Sequence, residues 1–106
     1  MNCFIYEVYY ERLPIYGESV RVTESAATGS LSTFGPNLQL HLAYGGPLPA
    51  TTDPHDVTVK VLVPAAQRRT TVSVHTGIDE ARVDTAVDEV ATSHGLSWKR
   101  IASRSE

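Results

Sequence analysis

Apolar and polar positions alternate with a period of two at two places in the second half of the chain. Val57, Val59, Val61 and Val63 alternate with Thr58, Lys60 and Leu62, and Val72 and Val74 alternate with Thr71, Ser73 and His75. Successive side chains of a strand point to opposite faces, so each run predicts a strand with one buried face. The polar segment 64–69, Pro-Ala-Ala-Gln-Arg-Arg, joins the two as a hairpin connection. The period then changes. Val83, Ala86, Val87 and Val90 recur at helical spacing and predict a helix over residues 78–94 with this stripe facing the core. Thr76 and Asp79 have the spacing of an N-terminal capping box, with Asp in place of Glu, and Gly95 supplies the stop. Leu96 and Trp98 then alternate with Ser97 and Lys99 in a closing strand ending near Ile101. The last third is therefore a ββαβ unit.

The first half is strand-rich but less regular. Residues 3–10 place Phe4, Tyr6, Val8 and Tyr10 on one face and Ile5 and Tyr9 on the other, so both faces are apolar, as in a central strand. Pro14 and Gly17 signal a turn before a short strand at 19–23. Leu38, Leu40, Leu42 and Tyr44 alternate with Gln39, His41 and Ala43, predicting a further strand. The stretches 24–36 and 45–56 are rich in Gly, Pro, Ser, Thr and Ala and read as surface loops.

The expected fold is α+β: a mostly antiparallel sheet of about six strands with one C-terminal amphipathic helix. A ferredoxin-like sandwich shares the ββαβ end but needs a second helix. Only 24–34 has room for it, where Gly29 and the Ser and Thr run disfavour one. A helix of about 16 residues measures roughly 24 Å by 10 Å, whereas six strands span about 29 Å. One helix cannot cover such a sheet. The uncovered face must curl into a partial barrel, accept a second sheet, or pair with another chain.

At 106 residues the chain is expected to be one domain over 1–102, with 103–106 as a frayed tail. Its net charge of −3 argues against a general nucleic-acid binder. That charge is uneven: residues 1–53 hold five acidic and two basic residues, and the remainder seven of each. No apolar run reaches membrane-spanning length, and Met1-Asn2-Cys3-Phe4 lacks the basic leader of a secretory signal, so a soluble, cytoplasmic protein without membrane contact is expected. A single cysteine forms no internal disulfide, and Cys3 reads as a small buried hydrophobe.

Motifs for chemistry are sparse. Gly45-Gly46-Pro47 lacks the context of a phosphate loop, and no Gly-x-Gly-x-x-Gly precedes a helix. Asp53-Pro54-His55-Asp56 reads as turn chemistry, and neither a metal site nor a cofactor is expected. His94, beside Gly95, belongs to its helix terminus. His41 and His75 fall on polar strand faces, and would serve general acid–base catalysis if those strands were neighbours. Arg68 and Arg69 in the turn, with Lys99 and Arg100 in the last strand, form the one dense basic spot.

Two features suit a partner. Tyr6, Tyr9, Tyr10 and Tyr16 crowd the first sixteen residues, and tyrosine is enriched at interfaces. Glu80, Asp84 and Asp88 form an acidic ridge along one helix flank. The expected function is a small non-catalytic interaction module binding a protein partner or a second copy of itself through the sheet and the tyrosine-rich strand, most simply as a homo-oligomer. Two alternatives are a small enzyme or ligand-binding protein using His41 and His75 in a curled sheet, and an accessory protein of a virus or mobile element that blocks a host factor.

Overall fold

A computed structural model describes residues 2–10, 20–44 and 57–105. Six elements follow in order: β1 (Asn2–Tyr9), α1 (Val20–Tyr44), β2 (Val57–Ala66), β3 (Arg69–Thr76), α2 (Glu80–Ser93) and β4 (Ser97–Ser105). The four strands form one open sheet in the order β2-β3-β1-β4, with every neighbouring pair antiparallel. Each helix thus connects two parallel strands that have a third between them, and the two split βαβ units interleave in the ferredoxin-like arrangement.

This is the expected α+β class, with two corrections. Among the described residues four strands are seen rather than about six, and a second helix covers the face for which a partial barrel was one of three solutions: the sheet is open. The residues read as a strand at 38–44, and 20–23 of the strand at 19–23, are both α1, as is the described part of the supposed loop at 24–36. Spacing explains the difference. Ala27, Leu31, Phe34, Leu38 and Leu42 recur every three or four residues and are all buried. Leu40 and Tyr44, which a strand would have buried beside Leu38 and Leu42, are 56% and 77% exposed. Gly35 and Pro36 lie inside the helix. Gly35 has a packing reason, since a Cβ there would sit 3.2 Å from Cγ2 of Val61: the missing side chain lets α1 lie close on β2.

The hairpin is tighter than expected. β2 and β3 run on through Ala66 and from Arg69, leaving only Gln67 and Arg68 in the turn, at φ of +50° and +63°. A two-residue loop whose twist matches its strands needs positive φ at both positions, and here two non-glycine residues adopt it. The amide of Tyr10 donates to the Arg68 carbonyl at 2.9 Å, tying the turn to the end of β1.

The helix stripe Val83, Ala86, Val87 and Val90 is buried as expected. The start of α2 falls later, however. Asp79 is the N-cap residue without a side-chain cap bond, and the Thr76 hydroxyl accepts instead from the amide of Ile78 at 3.1 Å. At the other end Gly95, at φ +70°, closes a Schellman motif: Leu96 N donates to Ala91 O at 2.8 Å and Gly95 N to Thr92 O at 3.1 Å. β4 is longer than expected, because a register shift opposite Ile5 and Tyr6 leaves Ile101 out of the pairing and lets residues 102–105 continue along β1.

Both helices pack on the face of the sheet that carries Phe4, Tyr6, Val8, Val72 and Val74, and these with the stripes of α1 and α2 make the core. Across the helices, Asn37 Nδ2 lies 2.7 Å from His94 Nε2. No helix of the described residues is long and apolar enough to cross a membrane.

Candidate functional site

Strand parity sorts the charges into two layers. On the helix side, Arg100 of β4 reaches α2, where its Nη1 donates to Asp84 Oδ2 at 2.6 Å and its Nη2 pairs with Glu80. The Tyr6 hydroxyl donates to Asp84 Oδ1 at 2.6 Å, and the Trp98 indole N–H donates to Asp88 Oδ1 at 3.0 Å. Tyr6 and Trp98 meet edge to face with centroids 5.7 Å apart. Burial, and then the hydrogen bond to Asp84, push the Tyr6 hydroxyl well above the ordinary phenol range. All three carboxylates of the acidic ridge therefore hold β4 and β1 against α2.

The opposite face of the sheet carries Cys3, Ile5, Glu7 and Tyr9 from β1, Arg69, Thr71, Ser73 and His75 from β3, Thr58 and Lys60 from β2, and Lys99, Ala102 and Arg104 from β4. These assignments follow from register, since Lys60 pairs with Ser73, Lys99 with Glu7, Tyr9 with Arg69 and Cys3 with both His75 and Arg104. Both described helices lie on the other side. Among the described residues this open face holds four Lys and Arg side chains, Lys60, Arg69, Lys99 and Arg104, against the single carboxylate of Glu7. In a chain of net charge −3, the described residues of this sheet face are thus cationic.

At the hairpin end of this face lies a cleft of about 370 Å³ lined by Glu7, Tyr9, Tyr10, Gln67, Arg68, Arg69 and Lys99. Glu7 stands between two cations without closing on either: Oε1 is 3.9 Å from Arg69 Nη1 and 3.8 Å from Lys99 Nζ. Those two side chains are 70% and 59% exposed and free to turn toward a ligand. The Arg68 guanidinium lies over the Tyr10 ring, 5.9 Å from its centroid.

The sequence-derived site residues separate accordingly. Tyr6 and Tyr10 are buried, Tyr9 is half-buried on the open face, and Tyr16 lies outside the described residues, as does the 53–56 cluster. His41 and His75 are not neighbours, because His41 sits on α1 and meets Glu89 of α2 at 2.8 Å, whereas His75 is on the far face of the sheet. The basic spot splits too: Lys99 and Arg100 are adjacent in one strand and so point to opposite faces. His75 Nε2 instead lies 3.8 Å from Cys3 Sγ and 3.3 Å from Ser73 Oγ. Cys3 and Ser73 are 1% and 2% exposed, so neither offers a nucleophile to a substrate. Glu7 and Gln67 were not singled out by sequence. The parity of Glu7 against Lys99 was the signal available, and it needs the register that only the fold supplies.

Compared with known protein families, curated proteins and solved structures, the chain matches no family model and has no significant match in either of the other two.

Proposed function

We propose that this chain is a small non-catalytic interaction module that grips an acidic surface of a partner protein with the open face of its sheet. The observation that carries this reading is the charge segregation across the sheet. The carboxylates of the described residues are concentrated on the helix side, where β4 and α1 engage them, while four exposed or half-exposed cations and the apolar bodies of Ile5 and Tyr9 share the other face. Complementary charge accelerates encounter and fixes partner choice, and a half-buried tyrosine adds contact area at small entropic cost.

Charge also chooses among occupants. Counting the described residues, two copies stacked face to face would oppose four cations to four cations with one carboxylate apiece, which disfavours a second copy on this face. A nucleic-acid platform needs aromatic rings in series for base stacking, and of the described aromatic residues only Tyr9 and His75 stand here.

Capture from the native host, followed by mass spectrometry, tests the proposal with three baits: the wild type, Ile5→Arg, and the charge reversal Lys60→Glu with Lys99→Glu. A protein partner that is held by the wild type, released by raised salt and lost from both variants supports the reading. Equal capture by all three, capture abolished by nuclease, or a salt-insensitive homodimer in sedimentation overturns it.

A further inference from the structure

The sheet ends in two edge strands, β2 and β4. On β2, Gln39 of α1 bonds the Val57 carbonyl and the Val59 amide, so the odd residues there turn their backbone groups outward. In an antiparallel ladder both backbone groups of a residue point to one side, and the side alternates along the strand. Carried across the register, this parity turns Cys3, Ile5 and Glu7 of β1 toward β4, where they face Arg104, Ala102 and Lys99. The backbone groups of Trp98, Arg100 and Ser103 therefore point out of the sheet. Among the described residues no hydrogen bond reaches those groups, whereas Gln39 caps the corresponding groups of β2. The edge is accessible too, because Lys99, Ile101, Ser103 and Arg104 are all exposed.

We infer that the outer edge of β4 takes up an extended acidic segment of the partner as a further strand of the sheet, an inference that rests on the reading above and names what the partner presents. Main-chain bonds to Trp98, Arg100 and Ser103 supply affinity, and side-chain rows supply selection. On the open face β4 presents Lys99, Ala102 and Arg104, and its sequence SWKRIASRS contains no carboxylate. These three stand opposite alternate residues of β1, because the bulge absorbs the extra residue of β4. An added strand continues the same rows, so it needs acidic residues at i and i+4 and a small or apolar residue at i+2. Ile101, left out of the pairing and 50% exposed, adds apolar contact at the middle of the edge. Charge again selects the occupant. A second copy paired antiparallel about the bulge would set Lys99 against Arg104 twice, so cations that guard the edge against self-pairing admit an acidic strand.

The probe is a blocked peptide, Thr-Thr-Glu-Thr-Val-Thr-Glu-Thr-Thr, titrated into the full chain and followed by amide resonances and hydrogen exchange. Saturable shifts should follow β4, and exchange of the Trp98, Arg100 and Ser103 amides should slow, since these groups gain a bond. Moving one Glu by a single residue puts the two acids on opposite faces; this change, or Lys in place of both, should weaken binding about tenfold. N-methylation of alternate peptide amides should abolish binding in one parity and be tolerated in the other. Ser103→Pro removes an outward N–H and none of the bonds to β1, so it should fold and lose the peptide. The methylated pair decides the matter even if that variant does not fold. Equal binding of the two methylated peptides, equal binding of the Glu and Lys peptides, no saturable shift at millimolar peptide, or shifts centred away from β4 rejects strand addition. As baits, Ser103→Pro and Ile5→Arg separate the two readings. A partner lost from both supports strand addition beside the gripped face, and one lost only from Ile5→Arg rejects the edge and leaves the face. A partner lost only from Ser103→Pro upholds the edge and overturns the face.

Discussion

The hydroxyl of Tyr6, on the central strand β1, donates a 2.6 Å hydrogen bond to Oδ1 of Asp84 on α2, whose other oxygen takes Arg100 of the edge strand β4. One carboxylate thereby joins three elements that are distant in sequence. The acidic ridge, which as a bare helix flank would repel itself, is spent inside the fold.

Its alkaline consequence has a definite sign. The Tyr6 hydroxyl is raised above its ordinary value of 10.0 in the folded chain, by burial first and the Asp84 bond second. Between the unfolded and folded values the unfolded state binds fewer protons, so stability is fully present below about pH 10 and falls above it, at most by about 1.4 kcal/mol per pH unit. Urea unfolding at a series of pH values from neutral to about 11 should show this decline in the wild type and a shallower one in Tyr6→Phe. At neutral pH the same substitution should cost about 1 kcal/mol, the worth of one hydrogen bond. Parallel alkaline profiles would mean that Tyr6 is not the group responsible.

The phase of α2 gives a second expectation. Val87 is fully buried in the stripe facing the sheet, and Thr92 is exposed. Val87→Asp buries an unpaired carboxylate and should cost several kcal/mol or unfold the chain. Thr92→Asp should stay within about 0.5 kcal/mol of wild type. Melting temperatures that differ little between the two would contradict the packing.

How much of this was legible depends on which periodicity stood unopposed. The ββαβ end was, because the valine alternation and the Val83, Ala86, Val87, Val90 stripe each fit a single period. α1 was not. Leu38 and Leu42 satisfy both a strand, as alternate positions, and a helix, as i and i+4, and the intervening Leu40 tipped the local reading toward a strand. The deciding residues, Ala27, Leu31 and Phe34, lie beyond Gly35 and Pro36, two residues that lower helix propensity and broke the pattern where it should have been extended. Packing against β2 overrode that propensity. The cationic face was illegible for another reason: its cations are spread over three strands, and only the pairing of Glu7 with Lys99, of Cys3 with Arg104, of Tyr9 with Arg69 and of Lys60 with Ser73 gathers them.

Gly35 tests the packing that overrode propensity. A Cβ at this position meets Val61 Cγ2 at 3.2 Å, and Val61 is half exposed and able to shift. Gly35→Ala should therefore be close to neutral, since the gain in helix propensity offsets the contact. Gly35→Leu cannot be accommodated so cheaply and should cost roughly 1–3 kcal/mol. Val61→Ala in the same chain should restore part of that loss. A leucine variant as stable as wild type would show that α1 does not lie against β2 at this point.

Gln39 of α1 treats the edge strand β2 as a neighbouring strand would. Its side-chain amide donates to the Val57 carbonyl at 2.9 Å, and its carbonyl accepts from the Val59 amide at 2.7 Å, so one side chain satisfies two backbone groups on the outer edge. Lys60, Pro64 and the register shifts after Val61 blunt the remainder of that edge against pairing with another chain. Removing the amide by Gln39→Ala should cost about 1–3 kcal/mol for two lost bonds. It should also expose a stretch of edge beside the half-exposed Val61, Leu62 and Val63, so that the variant self-associates at concentrations where the wild type does not. Sedimentation velocity over a concentration series reads the second effect and urea unfolding the first. Adding Lys in place of Val61 to the Gln39→Ala chain should suppress the association without restoring the lost stability, because a charge on the edge opposes strand pairing while the two backbone groups of β2 stay unpaired. Association that survives the added lysine would locate the contact elsewhere than on β2.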